Sequence, residues 1–256
     1  MKRKKVITAG RLVIAVAYTV AGLQDGPKAR ADKVQMSTAA REAINLRYSW
    51  QKLEVLLAAN FSSKDLFVTL TYADDLYPVS RAESVKRVKR FLAKLRAARK
   101  LKGQPLKYVY VTEQLSSEGN RLHHHLVING TGDDYETIRS LWEWGSDVEI
   151  SPLEVGGNDD GYADVAKYLT KEPRECGKAE VGARTWTPSL GLVRPKPEAA
   201  DMADNETITA PPGAYIISAP TPSRNEYGEY VYIKYLLPAR SAPHPLHRPP
   251  RKRKSK

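Results

Sequence analysis

Arg121-Leu-His-His-His-Leu-Val-Ile-Asn-Gly130 is the stretch that decides the fold. Apolar residues flank three consecutive histidines, and the run reads as a buried strand. Alternate side chains of a strand share a face. His123 and His125 therefore project together, spaced to grip one cation with two imidazoles, while His124 faces away with Leu126 and Ile128. The chain holds five histidines, and the other two lie in its C-terminal tail. The pattern predicts a metal site built into a sheet.

The segments around this strand supply its partners. Lys107 to Glu113 alternates as a second strand, and the Ser-Ser-Glu-Gly-Asn loop after it predicts an antiparallel hairpin. The return of such a hairpin brings Glu113 beside the histidines. Two imidazoles and one carboxylate with open positions suit Mg²⁺ or Mn²⁺ acting on a phosphate, and the same set would also accept zinc or iron. Upstream, Phe67 to Tyr72 is β-branched, aromatic and alternating, which predicts a strand. Asp74 and Asp75 follow it as turn residues. Arg81 to Leu101 predicts a helix with Val85, Val88, Leu92 and Leu95 as its apolar stripe. Its other faces belong to a segment with nine lysines and arginines between Lys86 and Lys102.

Ser37 and Thr38 can cap an earlier helix over Ala39 to Ala59. Further on, the chain predicts a helix over Tyr135 to Trp144, a short strand over Val148 to Ser151, and a helix from Asp159 or Asp160 to about Glu172. Beyond Pro173, Ala214 to Ala219 and Tyr230 to Leu237 can pair as a hairpin. The fold class is therefore α+β, with a central antiparallel sheet flanked by helices. The chain divides into a basic N-terminal segment with a strand (1–35), a central domain (36–175), a C-terminal extension with a hairpin (176–239) and a disordered basic tail (240–256).

With 256 residues, 41% of them hydrophobic, the chain can bury a real core. A net charge of +12 points to a polyanionic partner, usually nucleic acid. Cys176 is the single cysteine, which excludes an internal disulfide and fits a reducing cytoplasm. The longest uncharged apolar run, Leu12 to Gly22, is half the length of a spanning helix and reads as a strand, so no membrane partner is expected.

The helix after Asp160 adds a candidate nucleophile. At about 100° per residue, Tyr162, Val165 and Leu169 form a core stripe, whereas Asp164, Tyr168 and Lys171 share the other side. A free tyrosine titrates near 10, and a neighbouring cation favours the phenolate and steadies charge on an attacked phosphate.

Three segments now stand in order: Phe67-Val-Thr-Leu-Thr, then Glu113 with His123-x-His125-Leu, then Val165-Ala-Lys-Tyr168-Leu-Thr-Lys171. This order resembles the three motifs of the HUH endonuclease superfamily, in particular the rolling-circle replication initiators of small single-stranded DNA phages and plasmids. The resemblance covers about Leu66 to Glu172, including Leu141-Trp-Glu-Trp-Gly145, and is looser over Arg184 to Leu192. It implies a ferredoxin-like palm sheet, with His123, His125 and Glu113 holding the metal and Tyr168 attacking with Lys171 beside it. Many such phage initiators carry a second tyrosine four residues before the first. Here Asp164 stands there, so the resemblance implies a one-tyrosine enzyme.

The resemblance further implies nicking of single-stranded origin DNA, a 5′-phosphotyrosine link, a free 3′-OH and later rejoining, with a host helicase and polymerase as partners. Closing the circle would need a second subunit, as in a homodimer, or release by the displaced 3′-OH. Lys86, Arg87, Lys89, Arg90 and Lys94, with the tail from Arg248, are candidates for phosphate contacts that do not read sequence. Trp186 beside Arg184 is a candidate for stacking an unpaired base, with packing as the plainer role. Rival readings are an HUH transposase or relaxase, a non-catalytic DNA-binding protein with a metal-stiffened sheet, and a two-histidine, one-carboxylate oxygenase, which the basic charge disfavours.

Overall fold

A computed structural model describes residues 2–19, 39–114, 121–172, 184–225 and 228–238. Its class is α+β. Ser37 and Thr38, the loop after Gln114, Cys176 and the basic tail fall outside the described residues.

The central sheet is antiparallel, in the order β6-β3-β5-β4-β7: β3 (Leu66–Leu70), β4 (Tyr108–Gln114), β5 (Leu122–Ile128), β6 (Val148–Pro152) and the short β7 (Thr187–Pro188). Every residue of the histidine strand β5 is buried, because it is the middle strand and both faces are covered. Two helices cover one face. In α2 (Arg81–Leu101), Val88, Phe91, Leu92 and Leu95 pack with Ile138 of α3 (Asp134–Leu141) against Val68, Leu70, Leu126 and Ile128. The expected stripe of α2 thus gains Phe91. Ser80 caps the helix by accepting from the Glu83 amide at 3.2 Å. A buried pair, Arg99 to Asp134 at 2.6 Å, ties α2 to α3.

On the opposite face lie α1 (Ala39–Asn60) and α4 (Gly161–Tyr168). Leu53, Leu56 and Leu57 of α1 and Ala166 of α4, followed by Leu169, pack on Val109, Val111 and Val127. The helix α4 stops at Tyr168, short of the expected Glu172, and a tighter turn at Leu169 and Thr170 precedes a further helical pair, Lys171 and Glu172. Glu172 is held in place by Arg81, whose guanidinium donates to both carboxylate oxygens at 2.6 and 2.7 Å, and by the Gln114 amide at 3.2 Å.

A second antiparallel sheet has the order β8-β1-β2-β10-β9. It joins the N-terminal hairpin, β1 (Lys2–Ala9) and β2 (Leu12–Thr19), to β8 (Glu198–Met202), β9 (Tyr215–Asn225) and β10 (Gly228–Leu236). The apolar run from Leu12 is strand β2, as its alternation predicts. The basic start Lys2 to Lys5, read above without a strand of its own, lies in β1, where Arg3 pairs with Asp201 and Lys4 with Glu206. One face buries Val13, Ala15, Ala17, Ile233 and Tyr235 beneath Met202 and Ile208. The other packs at one end on the back of α1, through Ala9, Leu12 and Leu236 against Ala58. There the hairpin turn comes so close that a Cβ on Gly10, whose φ is +58°, would lie 2.6 Å from the Ala58 carbonyl oxygen. The layers therefore run sheet, helices α1 and α4, central sheet, helices α2 and α3. Among the described residues, no helix is long and apolar enough to cross a membrane.

Phe91 is fully buried against Trp142, with ring centroids 5.8 Å apart. Phe91→Ala is expected to cost about 3–5 kcal/mol of stability, measured as a lower urea midpoint with an unchanged slope.

Candidate active site

The β4–β5 register sets Glu113 directly opposite His123, Val111 opposite His125 and Thr112 opposite His124. Directly opposed residues share a face. Glu113, His123 and His125 therefore all project toward the α1/α4 layer, and His124 toward α2. Glu113 Oε2 lies 3.1 Å from both His123 Nε2 and His125 Nε2, and the two Nε2 atoms are 3.2 Å apart. All three residues are buried.

This triangle fits a divalent ion. Cis ligands about 2.1 Å from an octahedral cation lie about 3 Å from one another. The tautomers also agree. His123 Nδ1 lies 3.0 Å from the Arg121 carbonyl oxygen, which can only accept, so Nδ1 carries the hydrogen and a neutral ring offers the Nε2 lone pair. His125 Nδ1 is 3.2 Å from the Thr69 hydroxyl, which can accept in the same way. Three acceptor atoms then converge and call for positive charge between them. Burial pushes the Glu113 carboxyl up, but hydrogen bonds from His123 and His125 and the charge of Lys171 outweigh it and hold it down to about 2. Burial lowers the pKa of His125, which keeps its ring neutral and ready to ligate.

Behind the site, His124 is fully buried. Its Nε2 lies 2.7 Å from the Tyr72 hydroxyl and its Nδ1 3.0 Å from that of Thr112, with Tyr72 and Trp142 against the ring edge-on. Burial depresses its pKa to about 3. The neutral ring pins β5 from the α2 side, so that His123 and His125 cannot rotate out of register.

Tyr168 ends α4 above the triangle. Its side chain is 41% exposed, and its hydroxyl is 3.4 Å from His125 Nε2. Phe67 packs edge-on against the same ring. Lys171 Nζ sits 4.1 Å from the centre of the Tyr168 ring and 3.3 Å from Glu113 Oε2, so one ammonium touches both. Tyr162 points the other way, its hydroxyl donating to the Phe61 carbonyl at 2.8 Å, and Asp164 is exposed beside Lys167. An open cleft of about 580 Å³ leads from the site across Thr69, Thr71, Arg121, Asp147 and Glu149.

The structure thus brings Glu113, His123, His125, Tyr168 and Lys171 together. It does not bring the basic helix to them, since α2 covers the other face of the sheet. On that helix Lys86, Lys89 and Arg90 are exposed. Arg87 is bound to Glu83 and to the Leu76 carbonyl, and Lys94 is bound to Glu143. Trp186 lies half-buried against the α1 core, with its Nε1 donating to Ser49 Oγ at 3.2 Å, and Arg184 is exposed nearby. Asp74 pairs with Arg121 at 2.6 Å at the mouth of the cleft. Thr69 has a role that the sequence reading did not give it. Alternation with Phe67 and Thr71 placed it on a face, but only the β3–β5 register sets it opposite His125.

Residues 65–173 match a family model of replication-associated proteins of the ORF2 type. The match supports a replication-initiator-like family. It spans less than half of the chain, from the start of β3 past the end of α4, and contains all five residues of the site. It suggests a replication-related role and an interaction with DNA. No curated protein matches the chain. Among solved structures, the hypothetical protein ORF119 from Sulfolobus islandicus rod-shaped virus 1 is similar at 18% identity and a TM-score of 0.36, over 50% of this chain and 97% of that one.

Thr69→Val removes the hydrogen-bond partner of His125 Nδ1 and keeps the side-chain shape. It is expected to weaken Mn²⁺ binding about 10- to 100-fold, read by calorimetric titration, while the far-ultraviolet circular dichroism stays unchanged.

Proposed function

We propose that the protein initiates rolling-circle replication by nicking single-stranded origin DNA with Tyr168 as the nucleophile. The observation that supports this most is the position of the Tyr168 hydroxyl, 3.4 Å from a nitrogen of the Glu113–His123–His125 cluster, with the Lys171 ammonium against its ring. A Mg²⁺ or Mn²⁺ ion held by those three residues would supply Lewis-acid polarisation of the phosphate oxygens.

The rest falls to the chain's own groups. Tyr168 loses its phenolic proton and attacks the scissile phosphorus. The bond that forms is Oη–P, and the bond that breaks is P–O3′. The departing 3′ oxygen takes up a proton and becomes the free 3′-OH that a host polymerase extends. Lys171 offsets the charge that builds on the phosphoryl oxygens, from a buried position where water screens it little. In rejoining, a 3′-OH attacks the phosphotyrosine and the phenol leaves, so the phosphodiester energy is conserved. Because Tyr162 is committed to Phe61, one tyrosine serves each chain, and a second subunit or the displaced 3′-OH completes the cycle. The exposed Lys86, Lys89 and Arg90 would hold flanking DNA by charge, with a host helicase supplying the open strand.

The test is a denaturing gel of the protein with labelled single-stranded origin oligonucleotides and Mn²⁺. A covalent adduct on the 5′-phosphate side is expected, absent in Tyr168→Phe and with EDTA, and formed about 10²-fold or more slowly in Lys171→Ala. DNA binding without an adduct across the element's own origin fragments would overturn the nicking reading in favour of a non-catalytic binder.

A further inference from the structure

The second sheet lies outside the matched residues 65–173, yet two of its side chains reach the approach to the tyrosine helix. Lys234 of β10 is 4% exposed, in a strand whose neighbours Ile233, Tyr235 and Leu236 are apolar or aromatic and buried. Its ammonium is bound between Glu54 of α1, at 2.5 Å, and Asp160, the residue immediately before α4. Asp160 stands where an acidic side chain ordinarily caps its own helix, but it makes no side-chain cap bond. Its carboxylate is turned to Lys234 instead. Independently, Arg11 in the β1–β2 turn donates to the Gly156 carbonyl at 3.3 Å and to Asn158 Oδ1 at 3.0 Å, and it fastens itself to β10 through the Leu237 carbonyl at 2.7 Å.

A buried lysine between two carboxylates is a poor way to gain stability, since well-packed apolar residues of similar volume usually do as well or better. Burial also pushes the Glu54 carboxyl up against the pull of Lys234, a sign of how costly this charge is to keep inside. What the arrangement offers is direction. An ion pair fixes where the start of α4 sits relative to a rigid sheet, whereas an apolar contact would let it slide. The far end of the same helix is fixed by Arg81 on Glu172. Tyr168 lies one short helix away from Asp160.

We propose that Lys234 is a positioning residue for Tyr168: by holding Asp160 it makes the second sheet the frame that sets the tyrosine hydroxyl over the Glu113–His123–His125 cluster. This inference rests on the nicking reading above. Lys234→Met removes the charge and keeps the length of the side chain, and Asp160→Asn removes its partner. In the full chain, each is expected to slow single-turnover adduct formation about tenfold, with oligonucleotide affinity within twofold of wild type and the melting temperature unchanged or raised. The double variant is expected to be no slower than either single one, because both break the same bond.

Adduct formation at the wild-type rate in folded Lys234→Met would overturn the proposal. So would a parallel fall in rate, affinity and melting temperature, which marks a merely structural lysine. Amide hydrogen exchange at residues 163–169 separates this result from the fate of the nicking reading. If the wild type forms no adduct, that reading falls, and the tether is still decided by exchange: faster in Lys234→Met supports it, unchanged overturns it.

Discussion

The pairing of β4 with β5 in one particular register is the constraint on which the site depends. With a side-chain period of two, a slip of one residue would turn His123 and His125 into the α2 core and push His124 into the metal position, facing no carboxylate. Both faces of β5 are buried, so such a slip would also place Leu122, Leu126 and Ile128 against the wrong layer. The apolar residues that fix the register are therefore the same ones that aim the ligands. Tyr72 and Thr112 reinforce it by engaging both nitrogens of His124, which would otherwise be left as costly unpaired groups in the core.

Around that strand the layers divide the labour. The α2/α3 face is conventional packing, with Phe91, Leu92 and Leu95 beneath Trp142 and a buried Arg99–Asp134 pair joining the helices. The α1/α4 face carries the chemistry. There the sheet stays polar at one end, through Thr69, Glu113, His123 and His125, and apolar at the other, through Val109, Val111 and Val127. The helix α4 spans this change. Ala163 and Ala166 seat it, and Tyr168 lies where the packing gives out to solvent. Small residues at the contact let the helix approach closely enough for the phenol to reach His125.

Charge is used differently at the surface and in the interior. Much of the basic character of α2 is met by Glu83, Asp133, Asp134 and Glu143, which leaves Lys86, Lys89 and Arg90 exposed on the layer remote from the site. A helix rich in lysine and arginine is thus mostly a paired surface, with a smaller set of cations available to a polyanion. The buried cations Lys171 and Lys234 sit instead against the two ends of the tyrosine helix, where short distances and little water make each charge count.

Much of this was legible in the chain itself. Alternation gave the strands at Phe67, Lys107 and Leu122. Helical spacing gave α2 to the residue and separated Tyr168 from Tyr162, and the hairpin brought Glu113 back to the histidines. These features follow from local geometry, period two or 3.6, and a single short-range reversal. Thr69 as the partner of His125, Lys234 as the partner of Asp160, and the union of the first strands with the last in one sheet join residues that are dozens to hundreds of positions apart. Nothing local encodes such pairings: they exist only once burial of the apolar faces has fixed which elements lie side by side. The sequence by itself determined which side chains could ligate and which could attack. The tertiary structure alone decided which groups hold them in place, because that depends on distances set by packing rather than by the chain's own repeat.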